Sequence, residues 1–376
     1  MPAIALPFTP AEYDRRLALV RKEMANRGLD ALFVTDPSNQ AWLTGYDGWS
    51  FYVHQGVIIL QDADPIWWGR NQDTNGALRT VWMEADRVIG YEDGFVQNPD
   101  RHPMQNLSTI LGSVGVHTGR IGVEMDNYYY SAKAHASLGY NLPEALLVDA
   151  TGLVNWQRTV KSEPELAFMR KAAQISEKIV DGLLERVEPG VPKNEIVAEI
   201  YRDAIRGVDG AWGDYPAIVP LLPSGSDAAA PHLTWDGRPF LTGEATFFEI
   251  SGCYRRYHAP FCRTLFLGTP PDFLKRAEAA LVEGLEAGLD MARAGNRACD
   301  VANALAAPLE RAGIERGARC GYRSEDETVL EPNMPFHFMP GLWMQDWGIE
   351  ITESIRIRED GPAETFCNRP RQMFVK

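Results

Sequence analysis

The sequence predicts an α/β domain followed by an α+β domain, and three observations carry that prediction. The 376 residues suit two domains of about 150 residues or more, each able to bury its own core. The first part alternates helical and strand-like periods, as layered α/β folds do, whereas the second sets amphipathic helices beside strand runs that read as antiparallel. Between them, Trp156 to Lys161 has the character of a boundary, which divides the chain into residues 1–158 and 159–376.

Thr9-Pro10-Ala11-Glu12 is a capping box with proline at the first helical position, and Tyr13, Leu17, Val20 and Met24 then repeat at helical spacing until Gly28. Ala31 to Thr35 follows as a buried strand, and Asp36-Pro37-Ser38-Asn39 as a turn. Gly56 to Leu60, Pro65 to Trp68 and Ile121 to Met125 read as further strands. In the second domain Ser162-Glu163-Pro164-Glu165 is another capping box, opening a helix whose apolar face runs Leu166, Met169, Ala172, Ile175, Ile179. Asn194 to Ile205 and Phe273 to Ala294 are helical, and strands are expected at Ala217 to Leu221, Ala245 to Ile250, Thr264 to Leu267, Pro335 to Met339 and Ile349 to Ile357.

Composition narrows the function. Lys and Arg number 37 against 51 Asp and Glu, a net charge of -14, which argues against nucleic acid and against an anionic membrane as partner. No apolar run approaches a membrane span and no secretion signal is expected at the start. Five scattered cysteines without a CxxC pair read as small buried hydrophobes in a reduced, cytoplasmic protein. GxGxxG after a strand, GxxxxGK[ST], HExxH and GxSxG are all missing, so a nucleotide site or a serine nucleophile is disfavoured.

The candidate chemistry lies elsewhere. On the strand around Phe247-Phe248-Glu249-Ile250-Ser251, period 2 puts Phe247, Glu249 and Ser251 on one face. A carboxylate among aromatics is a general base or nucleophile, or else it pairs with Arg255, Arg256 or Arg263. His232 sits in a Pro-containing loop, solvated or shielded by Trp235 for catalysis, with Tyr257-His258-Ala259-Pro260 a weaker parallel. His337, in Pro335-Phe336-His337-Phe338-Met339, reads as a core histidine. Aromatics gather at Trp49 to Tyr52, at Tyr128 to Tyr130, and at Trp343 and Trp347, as core or as a box for a delocalised cation. Arg70 is poised either for a substrate carboxylate or for a surface salt bridge.

Several runs carry a resemblance to a known family. Val160-Lys161-Ser162-Glu163-Pro164-Glu165-Leu166, Arg263-Thr264-Leu265-Phe266 and Leu330-Glu331-Pro332-Asn333-Met334 resemble the creatinase/aminopeptidase P family, with Asn333 where glycine is usual. The resemblance covers nearly the whole chain and implies a pita-bread catalytic domain behind a creatinase-like N-terminal domain. Metallopeptidases of the family bind two metal ions through two Asp, one His and two Glu. Those positions fall here on Glu249, Pro260, Tyr322 or its neighbour, Met339, and Thr352 or Glu353. Proline offers no donor and a thioether is too soft for Mn or Mg, so the expectation is no metal and no cofactor. A Gly/Pro-rich loop of the family has no counterpart between Tyr322 and Arg323.

Within the family, Trp42 to His54, Arg206 to Gly210, Gly243 to His258 and Gly341 to Gly348 resemble metal-free hydrolases of small C–N substrates, above all of a cyclic amidine bearing a carboxylate. For such a zwitterion the resemblance implies Glu249, His232 and Glu353 as catalytic residues. Trp49, Tyr52, Arg70, His258, Met339, Trp343 and Trp347 are then the substrate contacts. It also implies a homodimer with active sites shared between subunits. An amidinohydrolase of another guanidino compound, or a non-catalytic binding module, are the alternatives. A guanidinium calls for paired carboxylates, the cyclic amidine for an aromatic wall.

Overall fold

The computed structural model describes residues 6–314 and 324–376. Its first helix, α1 (Pro10–Asn26), starts where the Thr9 hydroxyl accepts the Glu12 amide proton, and buries Tyr13, Leu17, Val20 and Met24 on one face. Gly28, at φ 63, turns the chain out of it. After β1 (Ala31–Val34), Asp36 to Asn39 is not the free turn expected: Asp36 accepts the Asn39 amide proton and caps α2 (Pro37–Thr44). Proline following an Asp suits a helix start as well as a turn, and the buried Trp42 and Leu43 decide for the helix.

The chain then forms β2 (Gly56–Leu60), β3 (Ile66–Arg70), α3 (Thr74–Ala77), β4 (Val88–Tyr91), α4 (Met104–Ser113), β5 (Arg120–Val123), α5 (Ala132–Asn141), β6 (Leu146–Asp149) and α6 (Leu153–Gln157). The strands make one mixed sheet in the order β4-β3-β2-β1-β5-β6. Alternation sends Leu32 and Val34 into a core with α1, α2 and α6, and Ala31 and Phe33 into one with α4 and α5. These elements belong to a unit spanning Met1–Thr159, and the rest of the chain, Val160–Lys376, makes a second.

In the second unit the box at Ser162 and Glu165 opens α7 (Glu163–Arg186), followed by α8 (Lys193–Arg206). Next comes a long antiparallel hairpin, β7 (Ala245–Tyr254) and β8 (Tyr257–Phe266), joined through Arg255 and Arg256 at φ 51 and 67. Ala217 to Leu221 is not a full strand; its Leu221 makes an isolated backbone bridge to Glu249 and its Ala217 amide donates to His258 of the hairpin. After α9 (Asp272–Met291) lies α10 (Ala298–Arg311), which the sequence reading missed; it starts on Arg297, an unusual cap, and contains Pro308. The remaining strands are β9 (Pro335–Phe338), β10 (Gly341–Trp343), β11 (Gly348–Glu350), β12 (Glu353–Arg356), β13 (Glu364–Thr365) and β14 (Phe374–Val375). Asn333, at φ 70, adopts the left-handed conformation for which glycine would be the easier residue.

Two cores hold this unit. Leu183, Ile196, Ile200, Phe248 and Ile250 pack α7 and α8 under the hairpin. Leu281, Leu285, Val301, Leu305, Phe338 and Ile355 pack α9 and α10 against the later strands, each large side chain contributing on the order of 1.5–3 kcal/mol. Gly252 is where α7 comes closest to β7: a Cβ there would lie 2.3 Å from the Ala172 carbonyl oxygen.

Candidate active site

The hairpin sorts its side chains by face. Phe247, Glu249 and Ser251 stand opposite Thr264, Cys262 and Pro260, while Phe248 stands opposite Arg263 on the other side. Glu249 is only 4 % exposed, stands across from Cys262 in the hairpin, and has its backbone fixed by paired hydrogen bonds of 3.0 Å with Leu221. Burial pushes its carboxyl up to about 7.

A second carboxylate meets it, one the sequence reading did not single out. Glu350 ends β11, is 1 % exposed, and is held by the buried Thr264 hydroxyl, which accepts from the Glu350 amide at 3.0 Å and donates to its carbonyl at 2.9 Å. Its Oε1 is buried without a hydrogen-bond partner. Burial first, and the charge of Glu249 second, push the Glu350 carboxyl well above the usual range. Among the described residues neither carboxylate has a Lys or Arg ion pair. Cys262 lies beside both; burial and the two carboxylates raise its thiol far above normal, so it stays protonated.

The imidazole beside Glu249 is that of His337, with Nδ1 3.9 Å from Glu249 Oε1 and Nε2 2.8 Å from the Thr352 hydroxyl. Burial lowers it to about 4, so it is neutral at physiological pH. His337 is therefore not the bystander of the sequence reading. His232 is exposed, in the loop beyond the 3₁₀ turn Gly225–Ala229, with no hydrogen bond or ion pair to Glu249. Trp235 does not shield it as expected but packs edge-on against Tyr201, 6.4 Å between centroids.

Trp343 covers this face, packed with Phe247, Cys262 and Ala228, and its indole N–H is buried without an acceptor. The wall is close-fitting because β11 has no side chain at Gly348, where a Cβ would fall 1.9 Å from the Ala228 carbonyl oxygen. Trp347 does not join it: its ring packs on Phe273 of α9, 5.4 Å away, since the turn after Trp343 sends it to the outer side. Met339 is half-buried between β9 and β10.

Three other expected residues have different work. Glu353 does not orient a histidine; its Oε1 takes the Arg263 guanidinium at 2.5 Å, with Arg371 Nε 3.3 Å away. Alternation along the chain carries it to the side opposite Glu350. His258 accepts from the Ala217 amide at Nε2, 2.9 Å, and faces the Arg256 carbonyl at Nδ1, 3.1 Å, so backbone occupies both nitrogens. Arg70 is in the first unit and pairs with Asp93 at 2.7 Å, the salt-bridge alternative. Trp49 and Tyr52, also of the first unit, are each 63 % exposed, their rings 6.0 Å apart. Phe51 meets Tyr129, 5.8 Å between centroids, beside a cavity of about 320 Å³ that Tyr52, His54 and His102 also line.

The positions where the family carries metal ligands do not make a ligand set. The Pro260 carbonyl is taken by the Ser354 hydroxyl at 2.7 Å and the Thr352 hydroxyl by His337. No group of three or more His, Cys, Asp or Glu among the described residues is placed to hold an ion. The Tyr322–Arg323 junction lies outside the described residues, and no helix among those described is long and apolar enough to cross a membrane.

Comparison with known proteins agrees with this architecture. Residues 16–160 match the creatinase/prolidase N-terminal domain and residues 167–359 match metallopeptidase family M24. An ectoine hydrolase of Halomonas elongata is 55 % identical over 397 aligned positions, covering 99 % of both chains. Since this chain has 376 residues, the relative carries stretches without counterpart here. The uncharacterized hydrolase/peptidase y4tM of Sinorhizobium fredii is 37 % identical, again over 99 % of both. Of solved structures, the prolidase of Thermococcus sibiricus superposes with a TM-score of 0.84 at 17 % identity, covering 97 % of this chain and 99 % of that one. The dipeptidase of Pyrococcus horikoshii OT3 gives 0.80 at 20 %, covering 96 % and 100 %. These two likenesses establish the pita-bread fold and nothing finer.

Proposed function

The chain belongs to metallopeptidase family M24, with a creatinase/prolidase N-terminal domain ahead of it, and on that premise we propose that it hydrolyses the cyclic amidine ring of ectoine without a metal, giving N-acetyl-L-2,4-diaminobutyrate. The observation that carries this reading is the aromatic wall of Trp343, its indole N–H unpaired, and Phe247 over a pair of buried carboxylates, Glu249 and Glu350, that has no Lys or Arg ion pair among the described residues. Ectoine supplies what the pair lacks: a planar amidinium and, on the same ring, a carboxylate acceptor for a buried donor.

The electrophile is the carbon between the two ring nitrogens. Glu249 attacks it to form a covalent adduct, or draws a proton from a water that does so, and the C–N bond to one nitrogen then breaks. His337 holds the Glu249 side of the site and Trp343 lies over the amidinium face. The reading extends to a homodimer in a reducing, cytoplasmic compartment, with Trp49 and Tyr52 serving a second subunit's site. The exposure of those two rings and the buried thiols of Cys262, Cys299 and Cys367 support it.

The same paired carboxylates favour a second reading, an amidinohydrolase of a guanidino compound, because a guanidinium is also a planar cation. Proton NMR of ectoine incubated with the protein and excess chelator separates the two. Ring opening to an acetylated diaminobutyrate is expected. An unchanged ectoine spectrum with release of urea from a guanidino substrate moves the assignment to the second reading, and activity that only added Mn restores overturns metal independence.

A further inference from the structure

We infer that Glu350 is the proton donor of the site, the group that protonates the ring nitrogen as it departs. The inference rests on the amidine-opening reading above and gives Glu350 a step that the reading leaves unassigned. Three observations carry it. Glu350 is anchored through its backbone, by the Thr264 hydroxyl on both its amide and its carbonyl, and its carboxyl takes a weak hydrogen bond from the Cys262 thiol but no ion pair among the described residues, so it is not committed to holding the fold. Its Oε1 is buried with no partner in a wall whose other members, Trp343, Phe247 and Cys262, are apolar or weakly polar. Glu350 and Glu249 both stand beside Cys262, and two carboxylates so placed and so buried oppose each other's ionisation, which favours one shared proton on the pair.

Among the described residues the surroundings offer no rival for that proton. His337 is neutral and bonded to Thr352, and Cys262 is protonated with its Sγ 3.8 Å from the Glu350 carbonyl oxygen. Arg263, from the same hairpin, points to the other face and Glu353, while Asp227 of the 3₁₀ turn packed on β11 is paired with Arg238.

The step balances as follows. Glu249 forms a C–O bond to the amidinium carbon, giving a tetrahedral adduct with two amine nitrogens. The C–N bond breaks, its electron pair stays on the departing nitrogen, and that nitrogen takes the Glu350 proton to become a free amine. Water then adds to the carbon and returns a proton to the Glu350 carboxylate. Glu249 leaves as carboxylate, the retained nitrogen keeps the acetyl group, and the remaining proton ends on the amine as ammonium. If water attacks directly, Glu350 acts the same way and Glu249 takes the water's proton.

The test has two arms. In wild-type protein labelled with ¹³C at glutamate carboxyls, and with no substrate, one buried carboxyl is expected to keep its proton past neutral pH, and that late step is expected to vanish in Glu350→Gln. In kinetics, Glu350→Gln should lose about 10²- to 10⁴-fold in kcat, lose the alkaline limb of the wild-type pH–rate profile, and recover in part as Glu350→Asp. A merely structural residue would lower the melting temperature without moving that limb. Loss of both buried carboxyl protons below neutral pH in the wild type overturns the inference even if the variants fail to fold. So does a folded Glu350→Gln within about tenfold of wild type. A wild-type protein inert towards ectoine is a different failure, that of the substrate reading, and the titration, which needs no substrate, tells them apart.

Discussion

Glu350 and Glu353 stand three residues apart, and each is almost wholly buried, at 1 % and 0 % exposure. Glu353 meets the Arg263 guanidinium, with Arg371 beside it; Glu350 meets a second carboxylate. The first is a structural pair, each charge covering the desolvation cost of the other. The second is a deficit, left open inside a wall of aromatics, and it is where a cationic ligand belongs. One family signature separates them. Arg263 and Thr264 are neighbours on β8 and therefore point to opposite faces, Arg263 holding Glu353 and Thr264 holding Glu350.

Four changes break or sharpen that contrast. The largest effect is expected from Glu249→Gln, which should lose on the order of 10³-fold in kcat. It should also be more stable than wild type at pH 8. The folded carboxyl titrates near 7, above its unfolded value, so the folded state holds the extra proton between about pH 4.5 and 7 and stability falls as pH rises through that window. Removing the charge should return on the order of 2 kcal/mol at pH 8 and little at pH 4, read from denaturant melts at the two pH values. A Glu249→Gln protein less stable at pH 8 would mean that the acid pair is satisfied after all.

Arg263→Met makes the opposite case. It leaves buried Glu353 with Arg371 as its remaining cation, and should cost about 3–5 kcal/mol in the same melts. The smallest effect tests the two histidines: His337→Gln, beside Glu249, should lower kcat on the order of 10²-fold through misplacement of the carboxylate. His232→Gln should leave it unchanged, and the reverse order in steady-state rates would restore His232 to the site.

Much of the scaffold was legible. The helix cap at Thr9 and the capping box at Ser162 depend on residues three apart, and the Phe247–Glu249–Ser251 face on simple alternation, so local rules suffice. The partner of Glu249 was not, because β11 meets the hairpin only in three dimensions and Glu350 carries no motif. A signal existed: alternation through Glu350-Ile351-Thr352-Glu353 sets Glu350 and Thr352 on one face and Glu353 on the other, whereas the family register drew attention to the last two. His258, Arg70 and Trp347 are engaged within the chain by other groups for a related reason. Residue type marks what a side chain is able to bind, and the neighbouring backbone or carboxylate that claims it first is invisible in one dimension.

Arg263 has a further consequence, for how long the folded state lasts. Its guanidinium gathers the carbonyls of Cys262, Thr352, Arg369 and Pro370, groups up to 107 residues distant along the chain. A knot of that reach can tighten only after several large loops have closed, and so it belongs to the last events of folding rather than to the nucleus. Interactions absent from the transition state govern unfolding and not folding rates. The clamp beneath the site is thus a kinetic lock: it does little to hasten assembly, and it sets the lifetime of the assembled acid pocket.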